Sequence, residues 1–299
     1  MRGRFKSKYY DPQKLARIKN LQLLARTVVE GYISGLHRSP FKGFSSEFAE
    51  YREYLPGDDL KHFDWRVFAR SDKRYVRQYE EETNLTCTLL LDASGSMAFG
   101  SDGLSKFEYG CYLAATLTYL MIQQRDQVGL VIFGQDVRQR IPARNSPAHM
   151  KFLLEQLEKA SPEGETGIAA SLHAIAETST RRGLVILISD LIDDQDGVMN
   201  ALNHFRHDRN EVIVFNTFDP AETDLPYDGL VELLDLETGR KMQVRADVIR
   251  RDYREKFQQF VRRYQSDCAA SRVDYQLVTT DAPFELMLAA YLNQREKFK

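Results

Sequence analysis

Residues 86–97 read TCTLLLDASGSM, and this stretch decides the fold. Its first half is a short run of β-branched residues and leucines without polar alternation, which is typical of a strand covered on both faces. Its second half is small and polar, and a long apolar segment begins at residue 107. A buried strand, a tight loop and a helix in this order indicate a unit of an α/β sheet.

The same kind of short apolar run recurs along the chain and alternates with helical patterns. We interpret these runs as further strands of a parallel sheet flanked by helices. After the short turn at residues 134–136, residues 137–141 are predicted to return as an antiparallel edge strand. The expected fold is α/β: a doubly wound, mostly parallel sheet of about six strands with one antiparallel edge strand. The other runs are VGLVIF (128–133), LVILIS (184–189), EVIVFN (211–216) and YQLV (275–278).

Several helices are predicted around this sheet. Residues 107–124 are apolar nearly all round, so they should form a central, buried helix. Ser146 followed by Pro147 is a typical helix start. A polar hairpin is expected around residues 237–239. Further helices are expected near residues 168–179, 197–207, 247–269 and 283–294.

The N-terminal part has a different character. From residue 11 to residue 36 the apolar side chains fall three or four apart, which predicts an amphipathic helix. The segment WRVFARSDKRYVRQY (65–79) is interpreted as two strands joined around Ser71 and Asp72. We therefore predict an N-terminal helix and β-hairpin appendage over residues 1–82 and an α/β domain over residues 83–299.

The amino-acid composition limits the partners and the compartment that the chain can have. The 41 Lys and Arg residues nearly balance the 43 Asp and Glu residues, so overall charge demands neither a nucleic acid nor a membrane as partner. The three cysteines are widely spaced without a CxxC pair, which indicates buried thiols in a reducing compartment. No apolar region follows the basic start MRGRFKSKYY, and no stretch reaches the about 18 to 20 apolar residues of a membrane span. We expect a cytoplasmic protein.

Polar oxygen atoms gather where the first strand ends. In an extended loop, alternate residues project to the same side, so Asp92, Ser94 and Ser96 present one carboxylate and two hydroxyls together. In an open α/β sheet, ligands bind at this edge. Oxygen-only ligands favour hard cations, so Mg²⁺ is the predicted ion, with Mn²⁺ or Ca²⁺ as possible substitutes.

Two later loops supply oxygen atoms of the same kind. Thr166 opens a predicted helix in the loop EGETG (163–167), and Asp190 follows the strand LVILIS. Strands on either side of the reversal point of a doubly wound sheet bring such loops together. The predicted metal site therefore consists of Asp92, Ser94, Ser96, Thr166 and Asp190.

These motifs resemble a known family. The DxSxS motif, a later Thr and an Asp at a strand end resemble the metal-ion-dependent adhesion site of von Willebrand factor A domains. The segment EFAEYREYLPGDDLKHFDWRVFARSDKRYVRQYEEE (47–82), followed by LLLDASGSM, resembles the domain-of-unknown-function 58 family. The resemblance runs from about residue 41 to residue 194.

The resemblance carries expectations about the site and its partner. It implies a central sheet with one antiparallel edge strand. It also implies that Ser94, Ser96 and Thr166 bind the ion directly, while Asp92 and Asp190 act mostly through water. Family members are commonly encoded beside MoxR-type AAA+ ATPases, which implies such an ATPase or its client as partner.

One departure from the family pattern concerns the second loop. Many adhesion sites have Gly-Gly-Thr there, whereas Glu165 precedes Thr166 in this chain. The added carboxylate is expected to alter which partners are accepted.

Such a site predicts binding and not catalysis. A dication held directly by neutral hydroxyls is under-neutralised and keeps an open coordination position. It should attract a Glu or Asp of a protein partner. We therefore predict a metal-dependent protein-binding module that is not an enzyme.

The main alternative is a metal-dependent hydrolase of phosphate esters, because Mg²⁺ beside Asp and Ser can support such chemistry. Against it, Ser94 lies in no GxSxG elbow, the motif lacks the second carboxylate of an Asp-x-Asp phosphatase, and no His or Lys adjoins it as a base.

Three of these sequence features also have a purely structural explanation. The loop with Asp92, Ser94 and Ser96 could merely cap a helix. The acidic residues at 193, 194 and 196 could form a second metal site or only favour a helix N-terminus. The basic, aromatic segment 65–79 could bind single-stranded nucleic acid, but a charged hairpin is the simpler explanation and the one we prefer. We expect no nucleic-acid partner.

Overall fold

The computed structural model describes residues 20–37, 51–53, 68, 70, 75–77, 85–101, 103–178 and 182–296. The chain divides into two compact units, one formed by residues 1–32 with 84–299 and the other by residues 33–83.

The elements are labelled in chain order. The helices are α1 (Leu21–His37), α2 (Lys106–Gln123), α3 (Pro147–Lys159), α4 (Ile168–Glu177), α5 (Gln195–His207), α6 (Pro220–Asp224), α7 (Ala246–Ala270) and α8 (Glu285–Glu296). The strands are β1 (Tyr51–Glu53), β2 (Tyr75–Arg77), β3 (Thr86–Asp92), β4 (Gln127–Phe133), β5 (Val137–Arg144), β6 (Leu184–Ser189), β7 (Glu211–Phe218), β8 (Leu230–Leu234), β9 (Lys241–Arg245) and β10 (Asp274–Thr279).

In the part of the chain that the structure describes, a central sheet of six strands has the order β10-β7-β6-β3-β4-β5. Neighbouring strands are parallel except β4 and β5, which are antiparallel. The predicted doubly wound α/β fold with one antiparallel edge strand is therefore confirmed. After β3 the chain adds β4 and β5 on one side of β3, and it then adds β6, β7 and β10 on the other side. The strand order thus reverses between β3 and β6, where α/β sheets form ligand crevices.

Burial on both faces explains the apolar runs. All six residues of β6 are buried, as are the last four residues of β3. On one face, α2 lies so close to the sheet that a Cβ atom on Gly110 would come within 2.9 Å of Leu91. On the other face, Leu172 of α4, Leu202 of α5 and Tyr264 of α7 belong to one hydrophobic core with Leu187 of β6.

The central helix α2 begins at a capping box. The Ser105 side chain accepts a hydrogen bond from the amide of Glu108, and the Glu108 carboxylate accepts one from the amide of Ser105. Helix α2 therefore starts immediately after the loop that carries the candidate site, and its first residue is Lys106.

The predicted amphipathic helix of the N-terminal part is seen from residue 21, while residues 11–19 lie outside the described residues. Asn20 caps it, since its side chain accepts a hydrogen bond from the amide of Leu23 at 2.9 Å. The apolar positions Leu24, Val28 and Ala25 are fully buried. The helix therefore contributes an apolar face to the core, as the spacing predicts.

Of the two strands predicted within residues 65–79, the second is confirmed by β2, whereas the first is wrong at the two residues that the structure describes there. Phe68 and Arg70 are helical. Strand β2 pairs instead with β1 in an antiparallel ladder that sets Arg52 opposite Val76. Short apolar runs do not distinguish a helix from a strand by periodicity, and the strand partner lies more than 20 residues away.

The three cysteines are free and buried. Burial raises the pKa of the Cys87 thiol well above its ordinary value and raises that of Cys268 to about 12. These thiols are therefore protonated and serve as packing groups. Within the described residues, no helix combines the length and the apolar character that a membrane span requires.

Candidate metal centre

Asp92 is the last residue of β3 and is fully buried. Its Oδ1 accepts a hydrogen bond from the amide of Ser94 at 2.9 Å, and its Oδ2 accepts one from the hydroxyl of Ser189 at 2.6 Å. Ser189 ends the neighbouring strand β6. The carboxylate is therefore held in one orientation at the reversal point of the sheet.

Ser94 and Ser96 lie at the start of a short 3₁₀ turn, Gly95–Ala98. Their hydroxyl oxygens are 3.1 Å apart, as expected for two groups that project to the same side of the loop. Ser94 stands at the N-cap position of the turn, but its side chain makes no capping hydrogen bond. Helix α2 has its own cap at Ser105. The helix-capping interpretation therefore does not account for these hydroxyls.

The loop of Thr166 lies directly against the DxSxS loop. The amide of Gly95 donates to the carbonyl of Gly164 at 2.9 Å, and the amide of Glu163 donates to the carbonyl of Ala93 at 3.0 Å. Thr166 is half-buried two residues beyond this contact, and Glu165 beside it is exposed. Backbone hydrogen bonds in both directions thus join the two loops.

Asp190 follows β6 and is fully buried. Its Oδ2 accepts a hydrogen bond from the ammonium of Lys106 at 2.8 Å, and its Oδ1 accepts one from the amide of Ile192 at 3.2 Å. Burial, and then the charge of Asp190, raise the pKa of the Asp92 carboxyl to about 7. The two carboxylates are therefore close enough to repel each other in an environment that water does not screen.

Lys106 is a site residue that sequence reasoning missed. Its side chain is fully buried and pairs with Asp190 and with Glu222, the latter at 2.7 Å. Burial opposes the charge, but the two carboxylates outweigh it and raise the pKa of the ammonium above its ordinary value. One signal was available: a Lys in the first turn of a helix is unfavourable to the helix dipole and needs an acidic partner.

This placement corrects the expectation that no Lys adjoins the motif. Lys106 lies beside Asp190 although 84 residues separate them along the chain. Because the amine is held as an ammonium between two carboxylates, it is not available as a general base. Lys106 therefore supplies no base for hydrolysis, although it lies beside the motif.

Glu237 is the second residue that the sequence did not reveal. It lies in the turn between β8 and β9, and its Oε2 accepts a hydrogen bond from the amide of Thr166 at 3.0 Å. Its Oε1 accepts a hydrogen bond from the Thr166 hydroxyl. The polar hairpin predicted around residues 237–239 thus reaches the candidate site with a carboxylate.

The donor set fits a hard dication. It offers hydroxyl and carboxylate oxygens, and the repulsion between Asp92 and Asp190 would be relieved by a cation between the loops. Protein donors already hold both oxygens of Asp92 and both oxygens of Asp190. The family resemblance implies that these carboxylates act through water, while the hydroxyls of Ser94, Ser96 and Thr166 are the candidate direct ligands.

The hydroxyls are essential to this candidate site. In the described ranges, no group of three or more His, Cys, Asp or Glu side chains is arranged to hold a metal ion. The acidic residues at the start of α5 have structural partners: Asp194 accepts from the amide of Gly197, Asp193 accepts from the amide of Ala169, and Asp196 pairs with Arg263. These contacts favour the helix-start interpretation of that cluster.

Comparison with known proteins identifies relatives along most of the chain. A family model described as "Protein of unknown function DUF58" matches residues 50–267. The uncharacterized protein Rv1480 of Mycobacterium tuberculosis (strain H37Rv) is 31% identical over 247 residues, which cover 81% of this chain and 77% of that protein.

Among solved structures, the conserved hypothetical protein BatB from Bacteroides thetaiotaomicron is similar with a TM-score of 0.50. The alignment covers 71% of this chain and 99% of that chain at 17% identity, so it shows a shared fold alone. The SpRpn10 VWA domain is matched over 45% of this chain and 76% of that chain, at 16% identity and a TM-score of 0.34.

Proposed function

This chain belongs to the DUF58 family of proteins of unknown function and has a von Willebrand factor A-like fold. We propose that it is a metal-dependent protein-binding module. In this proposal, one Mg²⁺ ion is held by Ser94, Ser96 and Thr166, with Asp92 and Asp190 acting through water. An acidic residue of a partner protein would complete the coordination of the ion.

The observation that supports the proposal most directly is the junction of the three loops. The DxSxS loop hydrogen-bonds to the loop of Thr166, and the Asp92 carboxylate accepts a hydrogen bond from Ser189, the residue before Asp190. These contacts join the three loops that carry the proposed ligands near the reversal point of the sheet, which supports a shared site.

The ion, when bound, supplies a Lewis-acidic position that a carboxylate can fill. The chain's own residues do the rest. The hydroxyls are neutral ligands, so they leave positive charge for an external acid to neutralise. Ser189 and Lys106 fix the orientations of Asp92 and Asp190, which limits the reorganisation that binding requires.

For the partner, we propose a MoxR-type AAA+ ATPase or its client, on the basis of the family resemblance. The cytoplasm is the proposed compartment, in keeping with three free, buried thiols. Binding is preferred to hydrolysis because the nearest amine, Lys106, is held as an ammonium ion in its ion pairs.

Metal binding is expected to stabilise the chain against heat. At free Mg²⁺ ten times its Kd, linkage contributes about 1.4 kcal/mol to the free energy of unfolding. For a unit of about 200 residues, this raises Tm by roughly 3 to 6 °C. Differential scanning calorimetry of the full chain with Mg²⁺ and with EDTA measures the difference. Equal Tm values across a Mg²⁺ titration to about 20 mM would contradict the proposal.

Partner binding is expected to depend on the same ion. In a pull-down against a MoxR-type AAA+ ATPase, the native chain should retain the partner in Mg²⁺ and release it in EDTA. Ser94→Ala, which removes one hydroxyl ligand, should retain it in neither. Lys151→Met, at an exposed position on α3, is the matched control and should behave like the native chain. Retention that EDTA leaves unchanged counts against a metal-mediated contact.

A further inference from the structure

The β8–β9 hairpin places a carboxylate of this same chain at the candidate metal site. Glu237, at its tip, accepts hydrogen bonds from both the amide and the hydroxyl of Thr166. Thr166 is a proposed direct ligand of the ion. A carboxylate that touches this hydroxyl therefore lies where a ligand of the same ion would lie.

A second contact joins the hairpin tip to the DxSxS loop. A Cβ atom built on Gly95 would come within 3.0 Å of the Leu236 carbonyl oxygen and 3.3 Å of Glu237 Cγ. Only a residue without a side chain allows the hairpin to approach this closely. Gly95 lies between the two serine ligands, so Glu237 contacts both of the loops that supply hydroxyls.

The turn that presents Glu237 does not use its side chain. Asp235 Oδ1 accepts hydrogen bonds from the amides of Glu237, at 2.9 Å, and Thr238, at 3.3 Å. The amide of Gly239 donates to the Asp235 carbonyl, with Gly239 at a φ of +69°. Asp235 and Gly239 thus form the turn, and the Glu237 carboxylate is left to bind at the site.

We propose that Glu237 is an internal ligand of the metal ion and occupies the position that the acidic residue of a partner takes. This inference rests on the proposed function. The chain then carries its own acidic group in cis, and a partner binds at the ion only after the hairpin tip has moved away.

The hairpin is suited to such an exchange. A two-stranded hairpin is marginally stable by itself, and several of its apolar side chains are exposed, with Leu230 at 69% and Met242 at 60%. An internal ligand has a high effective concentration, so an external carboxylate must compete with it. Free acids at low concentration are therefore excluded, while a partner that also binds the exposed hairpin residues has an advantage.

The inference is tested with Mn²⁺ alone, on the full chain, in native form and as Glu237→Gln. Gln keeps an acceptor oxygen for one of the two Thr166 donors and removes the charge. We expect the Mn²⁺ affinity, measured by titration calorimetry, to fall by about tenfold or more. The relaxation rate of water protons caused by the bound Mn²⁺ should increase by the contribution of about one additional exchangeable water, because a coordination position becomes free. Acetate should lower the water-proton relaxation of Glu237→Gln at lower concentrations than it needs to lower that of the native chain.

Glu232→Gln is the matched control. It lies on the same hairpin and pairs with Lys241 at an exposed position, so its Mn²⁺ affinity and relaxation should equal those of the native chain. Equal Mn²⁺ affinity and equal relaxation in native chain and Glu237→Gln, or tighter binding in Glu237→Gln, would overturn the internal ligand while leaving the metal site intact. If the native chain binds no Mn²⁺, the proposed function itself is wrong.

Discussion

Lys106→Met is expected to lower the free energy of unfolding by about 3 to 5 kcal/mol, because it leaves buried acidic partners without a compensating charge. Asp190 has a fully buried side chain and that of Glu222 is 19% exposed, so water cannot replace the ammonium at Asp190. Urea unfolding at 25 °C, in EDTA so that no metal contributes, measures the loss.

Two further variants separate a charge effect from a packing effect. Lys151→Met removes a Lys that is 72% exposed and lies 3.9 Å from Glu155, so it should change stability by less than about 0.5 kcal/mol. Adding Asp190→Asn and Glu222→Gln to Lys106→Met should restore part of the loss, since the buried charges are then removed together. A loss below about 1 kcal/mol in Lys106→Met alone would contradict the role assigned to the buried ammonium.

Asp92→Asn is expected to have opposite effects on stability and on metal binding. Without metal, the variant should be as stable as the native chain or more stable, because it removes a buried charge that Asp190 repels. Its amide oxygen can still accept hydrogen bonds from Ser189 or from the amide of Ser94. With Mg²⁺, its affinity should be about 10 to 100 times weaker.

The comparison is made by titration calorimetry for Mg²⁺ and by urea unfolding in EDTA. Asp194→Asn serves as control, since Asp194 caps α5 by accepting from the amide of Gly197 and has no assigned role at the site. An Asp92→Asn chain that binds Mg²⁺ as tightly as the native chain would exclude Asp92 from the metal centre.

Local patterns were sufficient to predict the sheet and its helices. The strand runs are buried on both faces and therefore lack polar neighbours, a property that each segment carries in its own residues. The antiparallel edge strand β5 follows from a turn of three residues, which is also local. In the N-terminal segment 65–79, strand β2 was predicted but its partner was not, because β1 is remote along the chain, and residues 68 and 70 are helical where a strand was predicted.

The candidate site, like the fold, was predicted only in part from the sequence. Asp92, Ser94 and Ser96 lie within five residues, so an extended loop alone predicts that they project together. Fold-level rules extended the prediction to Asp190, because it follows a parallel strand and the carboxyl ends of such strands meet at one edge. Thr166 lies between α3 and α4, so strand order alone does not bring it to the site.

Lys106, Ser189, Glu222 and Glu237 could be assigned to the site only from the folded chain. Each is joined to its partner across a long sequence separation: 84 residues between Lys106 and Asp190, and 71 between Thr166 and Glu237. Burial and charge pairing of this kind depend on which surfaces the packed elements bring into contact, and no local periodicity encodes that. Residue order thus determined the sheet and the oxygen-rich loop, while packing alone decided which charges surround the loop and which carboxylate reaches it.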